Sequence, residues 1–571
     1  MIVLGLNHGE INSSAAIVKN GKLTAGSPEE RFLREKLTKK FPQRSIQFCL
    51  DYEGIQLSQC DFIAQAWNPM ASQNKFSPYV SAMRTSSLRE DYYYGITDNL
   101  FNMVQRKPQD WVFMDYPRET GLPPVYFVQH HRTHAAASFF LSPFEEAAIL
   151  TADFRGELES VTMGRGRDNK LELFKKLDLP HSIGMFYAAY TELLGYKPDS
   201  DEWKVMALSA YDIECEKEYE IIKSTIRLTD DGLFELDQNY YQGVVDVLPG
   251  IYASKLRDAL GGRVGKKGEV PDEWHIKIAK AMQRVSEEIA VHMLSHLHSI
   301  AKCDSLVVGG GFFMNSVFNG RIANLTPFKN IYIPYAPTDA GNSIGAAFYV
   351  AHQIKNEPRV VCDNPSSIGP VFSDEQIEEV LNRRKISYKK ESNMARAVAE
   401  ILSQGKVVAF FNGRMEFGDR ALGCRSILGD PRNPEMKDII NGLIKYREAY
   451  RPFAPSILAE KVHDYFLVED GFTCNYMEKV VLFKDEKKKD VPAVVHFDGS
   501  GRVQTVSKET NPDYHMVISE FERITGVPIV LNTSFNINGE PIALTPDDAL
   551  NTFFNSGIEH LFLSGYHIRK L

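Results

Sequence analysis

The chain has 571 residues, 43% of them hydrophobic and 24% charged, with a formal net charge of -9. That length calls for two domains or more, and the acidic balance argues against a nucleic-acid partner, which leaves a basic footprint. No apolar run approaches the ~18 residues that span a bilayer, and the N-terminal MIVLGLNHGE lacks the basic and long apolar regions of a secretion signal, so no membrane partner and a cytoplasmic location are expected.

The seven cysteines are scattered with no CxxC pair, which fits reduced thiols and excludes a Cys-rich zinc module. In chain order, IVLGLN, AAIVKNGKL, DFIAQAW, VYFVQ, AAILTAD and LVVGGG read as short apolar strands bounded by turn residues. Helices intervene, clearest at 275–302, which feeds SLVVGGG as an α/β connection. NEPRVVCDNPSSIGP, 356–370, is loop-like, and SDEQIEEVLNRR follows with Ser373 as an N-cap. A boundary near 356 therefore divides a domain over 1–355 from one over 356–571. The second carries the strands KVVAFF and PIVLNTSF and a helix opening at Thr545-Pro546-Asp547-Asp548. The fold class is α/β.

His130 and His134 in FVQHHRTHAAASFF are four apart, so they share one helix face, as pairs of metal-binding imidazoles often do. The spacing alone is weak, because His292 and His296 share it within an amphipathic helix with no carboxylate-bearing strand end after them. Asp153 closes the strand AAILTAD, and Asp339 sits in the turn APTDAGNSIGAA. Strand ends of this kind point side chains into a cleft, though each aspartate alone reads equally as a turn cap. Two His and two Asp suit Fe(II), Mn(II) or Zn(II), and the ligand types do not choose among them.

The Gly-rich turn of LVVGGGFFMNSVFNG would let a nucleotide approach the backbone near Gly310, Gly311 and Asn315. Tight packing explains such a turn equally well. In the C-terminal part, NGRMEFGDRALGCRSILGDPR interleaves Arg414, Arg420, Arg425 and Arg432 with glycines; IKYREAYRPFAPS adds Lys445, Arg447 and Arg451, and HFDGSGRVQTV adds Arg502. Such a concentration in an acidic chain favours a pocket for phosphate or carboxylate groups over a solvated face. LNTSFNINGEPI supplies a wall for it, with Asn532 and Ser534. Neither a GxxxxGK[ST] loop nor GxSxG is present.

With these residues assembled, the chain resembles the O-carbamoyltransferases of the nodulation and antibiotic-tailoring family over essentially its full length. GRMEFGDRALGCRSILGDPR is similar to that family's GRxExGxRALGxRSxL signature, and RPFAPSIL, HFDGSGRVQTV and LNTSFNINGEPI match further signatures in order. The resemblance implies an N-terminal actin-like domain of the sugar-kinase and threonylcarbamoylation-protein type. It implies a C-terminal domain like the enzyme that makes threonylcarbamoyl adenylate. The C-terminal domain would form carbamoyl adenylate from carbamoyl phosphate and ATP, with Mg accompanying the nucleotide. The N-terminal domain would then carbamoylate a hydroxyl of a small molecule.

Carried over by motif, the family's metal, usually iron, falls to His130, His134, Asp153 and Asp339. Lys445, Arg447, Arg451 and Arg502 are expected to grip carbamoyl phosphate and triphosphate. Arg414, Arg420 and Arg425 share that role or brace the pocket, and Asn532 and Ser534 line it. Gly310, Gly311 and Asn315 would hold the adenosine, with Lys204 near the nucleotide or simply on the surface. A homodimer is among the assemblies the family allows.

Two departures stand out. Where the family has a His-Asp pair in the first turn, this chain has Ile11 and Asn12, which puts the general base in question; His8 is the substitute the sequence offers. Phe154 replaces a usual glycine after the metal-binding Asp153. The acidic chain favours a cationic acceptor such as a guanidinium alkaloid. Two other readings share these features: a tRNA threonylcarbamoylation enzyme, disfavoured by the charge and the arginine signature, and an inactive nucleotide-binding regulator of the actin-like class, opposed by the intact arginine cluster.

Overall fold

A computed structural model describes residues 1–9, 11–68, 111–115, 121–242, 250–361, 365–448 and 450–570. Residues 362–364 of the expected interdomain loop, and Ala449 in the arginine-rich stretch, lie outside them. The chain divides into two compact units. The first comprises Met1–His8, Ala15–Leu23 and Glu53–Val361, and the second comprises Gly9–Ser14, Thr24–Tyr52 and Cys362–Leu571.

The first unit is built on two sheets. One has the order β3-β2-β1-β4-β6-β5, with β1 Ile2–Asn7, β2 Ser14–Lys19, β3 Lys22–Pro28, β4 Phe62–Ala66, β5 Trp111–Met114 and β6 Val125–Val128. Strand β4 runs parallel to both β1 and β6. Next come β7 Glu146–Ala152, β8 Glu159–Arg167 and β9 Lys170–Asp178, then a ribbon of β10 Ile226–Leu228 and β11 Phe234–Leu236, then β12 Ser305–Gly309 and β13 Asn330–Tyr332. The second sheet has the order β13-β12-β7-β8-β9, with β7–β9 antiparallel and β12 and β13 added in parallel. Apart from the edge strand β5, both sheets share one plan: a meander whose first strand takes two further parallel neighbours. This duplicated α/β plan is the actin-like fold expected from the sequence.

The run AAIVKNGKL, read from sequence as one strand, is two. Asn20 and Gly21 adopt φ of 51° and 75°, and a two-residue turn with both central φ positive folds a hairpin there. Helix α1, His130–Leu141, links the sheets from β6 to β7; α2, Glu273–Ala301, precedes β12, with Asp272 as its N-cap. Helix α3, Asn342–Phe348, lies against α1 so closely that a Cβ at Gly345 would sit 1.9 Å from the Thr133 carbonyl oxygen. Backbone cannot yield at such a distance, so Gly345→Ala is expected to cost at least about 2 kcal/mol. Thermal unfolding followed by circular dichroism reads this as a Tm lower by about 4 °C or more.

The second unit holds a nine-stranded mixed sheet of order β14-β22-β21-β15-β16-β20-β17-β19-β18. Its strands are β14 Lys389–Lys390, β15 Val408–Phe411, β16 Arg425–Gly429, β17 Ala454–Leu458, β18 Lys479–Leu482, β19 Ser500–Val506, β20 Ile529–Ser534, β21 His560–Leu563 and β22 Tyr566–Arg569. Ser373 and Thr545 cap helices as the sequence indicates. One contribution to this unit was not readable in advance. Residues 24–52 are anchored on it by Arg34, which donates to the Pro541 and Ile542 carbonyls at 2.7 and 2.6 Å, and by Arg31, which donates to the Gly418 carbonyl at 2.8 Å. Among the described residues, no helix is long and apolar enough to cross a membrane.

Candidate active sites

The first site is assembled at the start of α1. His130 and His134 project from one face of its first turns, Asp153 follows the end of β7, and Asp339 opens the turn that leads into α3. All four are buried, and one ligand atom from each lies within 4.8 Å of the others. His134 Nε2 is 2.8 Å from Asp153 Oδ2 and 3.0 Å from His130 Nε2, and both imidazole Nε2 atoms are 3.5 Å from Asp339 Oδ1. Donors held about 2 Å from one ion lie about 3 Å apart, so these separations suit a single metal. The charge also fits. Two carboxylates and two neutral imidazoles carry two negative charges, which a divalent cation cancels.

The electrostatics of the bare cluster point the same way. Burial, and then His134, pushes the His130 imidazole down to about 3. Burial also opposes charge on His134, but Asp153 and Asp339 outweigh it and raise that imidazole to about 9. Asp153 stays well below the usual carboxylate range despite burial, because both imidazoles face it. A proton on His134 thus stands where positive charge is wanted. His131, beside His130 and His134 on α1, is spent on Thr151 Oγ1 at 2.7 Å and the Glu159 carbonyl at 3.0 Å. Among the described residues no second cluster forms: His292 meets the Thr229 carbonyl and His296 packs on Gly232.

Two residues that position this cluster escape a sequence reading. The Glu157 carboxylate accepts from the His130 backbone N–H at 3.0 Å and from the Asn68 N–H at 2.6 Å, satisfying a free donor at the start of α1. The Asn342 carboxamide lies 3.4 Å from His130 Nδ1 and 3.2 Å from His134 Nε2, and its oxygen has no partner among the described residues. Turned over, that oxygen accepts an Nδ1–H and leaves Nε2 of His130 for a metal. The only signal for Asn342 is its place three residues after Asp339.

The glycine turn is partly packing and partly site. Gly310 has φ of +95°, and a Cβ there would lie 2.2 Å from the Ala152 carbonyl oxygen, whereas a Cβ at Gly311 would meet the Asp153 carboxylate at 3.0 Å. Asn315 is engaged mainly within its own unit. Its oxygen caps Phe318 N–H at 3.1 Å and its amide donates one N–H to Gln283 at 3.0 Å. Lys204 pairs with Asp201 at 3.3 Å and lies over the Tyr196 and Trp203 rings. His8 follows β1, and burial pushes its imidazole down to about 4.

The second site lies in the second unit. Arg502 projects from β19 with its Nε buried and unpartnered among the described residues, and burial, Arg420, Arg447 and Arg451 together hold its pKa well below the arginine range. Arg447 is pushed down to about 9 by burial and by Arg451. Lys445 is buried and depressed by burial, Arg447, Lys36 and Arg451, while its ammonium donates to the Ser534 and Asn536 carbonyls at 2.6 and 3.0 Å. Arg451 reaches Glu448 at 3.4 Å. Asn532 donates to Gln504 at 3.0 Å, and its oxygen is unpartnered among the described residues.

Two lysines join this cluster that the sequence did not single out. Lys36, from the 24–52 segment, is lowered by burial and feels Arg31 and Arg451. Lys437, from the helix Met436–Ile440, is lowered by burial and by Arg447. For Arg414 and Arg425, of the two roles the sequence leaves open, the hydrogen bonds favour bracing. Arg414 donates to the Thr24 and Ile368 carbonyls at 3.0 and 2.6 Å, and Arg425 to the Asn412 and Gly413 carbonyls at 3.0 and 3.1 Å, so their guanidinium groups hold loops together.

A buried group of mutually repelling cations is costly unless an anion occupies it. Comparison with known proteins decides which anion chemistry to consider. The family model described as Carbamoyltransferase N-terminus matches residues 3–348, and that described as Carbamoyltransferase C-terminus matches residues 399–570. The chain belongs to the carbamoyltransferase family. It is a transferase enzyme of that family, and carbamoyl transfer is its activity.

Relatives match over nearly the whole of this chain. An uncharacterized protein of Synechocystis sp. is 35% identical, covering 100% of this chain and 96% of its own. Nodulation protein NolNO of Sinorhizobium fredii is 32% identical, covering 98% of this chain and 79% of its own. Among solved structures, component A of the (R)-2-hydroxyglutaryl-CoA dehydratase of Acidaminococcus fermentans aligns at 14% identity over 61% of this chain and 97% of that chain, with a TM-score of 0.34. HypF of T. kodakarensis aligns at 11% identity over 62% of this chain and 48% of that chain, with a TM-score of 0.30. Likenesses at that level carry no argument.

Proposed function

We propose that this carbamoyltransferase works in two ATP-dependent steps, one in each unit. The observation that carries the reading is the cation cluster of Arg420, Arg447, Arg502, Lys36 and Lys445, whose pKa values are depressed by burial, with Arg451 pushing four of them further down, which marks a site built for several negative charges. Carbamoyl phosphate and ATP supply them. In balance, carbamoyl phosphate, ATP and one water give carbamoyl adenylate, phosphate and pyrophosphate. A carbamate oxygen attacks the α-phosphorus, and the bond to the β-phosphate oxygen breaks. Charge grows on the departing pyrophosphate, where fixed cations stabilise it most. AMP is a better leaving group than hydroxide, so the adenylate stores the carbamoyl group in reactive form.

Transfer to a hydroxyl is assigned to the His–Asp cluster of the first unit. His130, His134, Asp153 and Asp339 would hold a divalent metal, Fe(II) by resemblance, which polarises a carbamoyl oxygen as a Lewis acid. Gly311, whose Cα faces the Asp153 carboxylate, leaves room for the adenylate to approach. His8, held neutral by burial, is the residue we assign to take the acceptor's hydroxyl proton. The acceptor is a hydroxylated small molecule, and a cationic one suits a chain of net charge -9.

The reading makes a test of a residue far from the arginine motifs. Lys36→Met removes one cation from the cluster and is expected to raise the Kd of carbamoyl phosphate by about tenfold to a hundredfold, the worth of a charged hydrogen bond. Isothermal titration calorimetry reads it directly, and an unchanged Kd would remove Lys36 from the site.

A further inference from the structure

The turn 496–500, which leads into β19, contains a histidine that the two-step reading does not use. Ser500 Oγ donates to Asp498 Oδ1 at 2.6 Å and lies 3.1 Å from His496 Nδ1. With its proton committed to Asp498, the hydroxyl can only accept from the imidazole, which fixes the proton on Nδ1. The turn is closed by backbone bonds from His496 N–H to the Ser500 carbonyl at 2.8 Å and from Gly499 N–H to the His496 carbonyl at 3.0 Å. Nε2 is therefore a lone pair, and it is buried with no partner among the described residues.

Its setting ties it to the cation cluster. Alternate residues of a strand share a face, so Ser500, Arg502 and Gln504 stand in one row on β19. Gln504 meets Asn532 at the far end of that row, and His496 packs on Ser500 at the near end. Three buried polar atoms of this row lack partners among the described residues: His496 Nε2, Arg502 Nε and Asn532 Oδ1. A row of unmet donors and acceptors on one face is what a bound polar ligand would satisfy.

We propose that His496 is a further ligand-contacting residue of this pocket, taking up one proton at Nε2 as a phosphate-bearing ligand binds and donating it to a phosphate oxygen. The proton comes from solvent, and the imidazolium formed is held by the ligand on one side and by the Ser500–Asp498 chain on the other. This rests on the reading of the cluster as a polyanion site. The charged groups around the imidazole are Asp498 on its own turn, Arg502 on β19, Lys437 on the helix Met436–Ile440, and Lys488, whose ammonium faces Gly499 and is paired with Asp485 at 2.6 Å. Burial holds the empty-site imidazole down at about 4; Asp498 opposes this, while Arg502 and Lys437 add to it. A ligand that neutralises those two cations reverses their effect and raises the imidazole toward neutrality. Between the free and bound values, binding consumes one proton, so affinity falls about tenfold per pH unit as pH rises through that window.

The test is calorimetric titration of the full-length protein with carbamoyl phosphate at pH 6.5, in buffers of different ionisation enthalpy, which counts protons taken up. Wild type is compared with His496→Asn, whose amide keeps the donor to Ser500, and His496→Gln, whose amide reaches the Nε2 position. Protonation of carbamoyl phosphate itself is common to all three and cancels in the difference. The expected result is about one more proton taken up by wild type than by either variant, with ligand still bound by both. Equal proton uptake in all three, with binding intact, would overturn the role of His496 and leave the polyanion site standing. Failure of folded wild type to bind carbamoyl phosphate would overturn the site reading, and this inference with it.

Discussion

Arg502→Met is expected to slow pyrophosphate release from ATP and carbamoyl phosphate by about a hundred- to a thousandfold, while making the protein more stable. The two halves of that result have one cause. Arg502 is held beside Arg420, Arg447 and Arg451 with its Nε buried and unpartnered among the described residues. In the empty protein it is an uncompensated charge, and replacing such a charge by an apolar chain of similar length gains about 1–4 kcal/mol. In the proposed reaction the same charge would face the departing pyrophosphate in the transition state, where losing one fixed donor costs about a hundred- to a thousandfold. Steady-state pyrophosphate release and thermal unfolding, run on one preparation, give both readings. A lower Tm together with unchanged release would show Arg502 to be a structural residue.

His134→Ala separates the two steps. It removes one of four donors that lie within 4.8 Å of one another, and the loss leaves Asp153 without its 2.8 Å partner. Bound iron, measured by elemental analysis after anaerobic loading, is expected to fall below about a tenth of wild type, in line with the effect of losing a metal ligand or its support. Carbamoyl transfer to an acceptor is expected to fall with it, and pyrophosphate release in the other unit to continue. Stripping metal from wild type with a chelator should give the same pattern. Iron retained in full by the variant would remove the cluster from consideration as a metal site. Parallel loss of pyrophosphate release would mean that the two steps are not divided as assigned.

How much of this was legible in the sequence depended on how far apart the partners lie in the chain. His130 and His134 could be read because helical spacing puts them on one face, and Asp153 and Asp339 because strand ends and turns present acids to clefts. The structure brings the four together. Asn342 and Glu157 could not be read, since an amide or carboxylate acting on a neighbour's ring or backbone has no spacing of its own. Lys36 reaches the arginine cluster from a segment remote from its motifs and Lys437 from the helix between two of them, and nothing local marks either as more than a surface lysine.

The arginine motifs themselves leave two roles open. A guanidinium fork that grips phosphate is equally suited to backbone carbonyls, and Arg414 and Arg425 use it that way. Asn315 shows the same ambiguity, because an asparagine after a glycine turn can cap the next short helix rather than meet a nucleotide. In the fold, the hairpin at Asn20–Gly21 was hidden inside one apolar run, although Asn-Gly is a strong turn signal. The recruitment of 24–52 into the second unit rests on contacts such as Arg34 to the Pro541 carbonyl, which no local pattern announces.

The central claim is that the cation cluster joins carbamoyl phosphate to ATP, and pyrophosphate release by the wild-type protein tests it most directly. With Mg(II) and Fe(II) present, release is predicted when ATP and carbamoyl phosphate are supplied together and not when either is left out. No release under any combination, or release from ATP that ignores carbamoyl phosphate, would contradict the account.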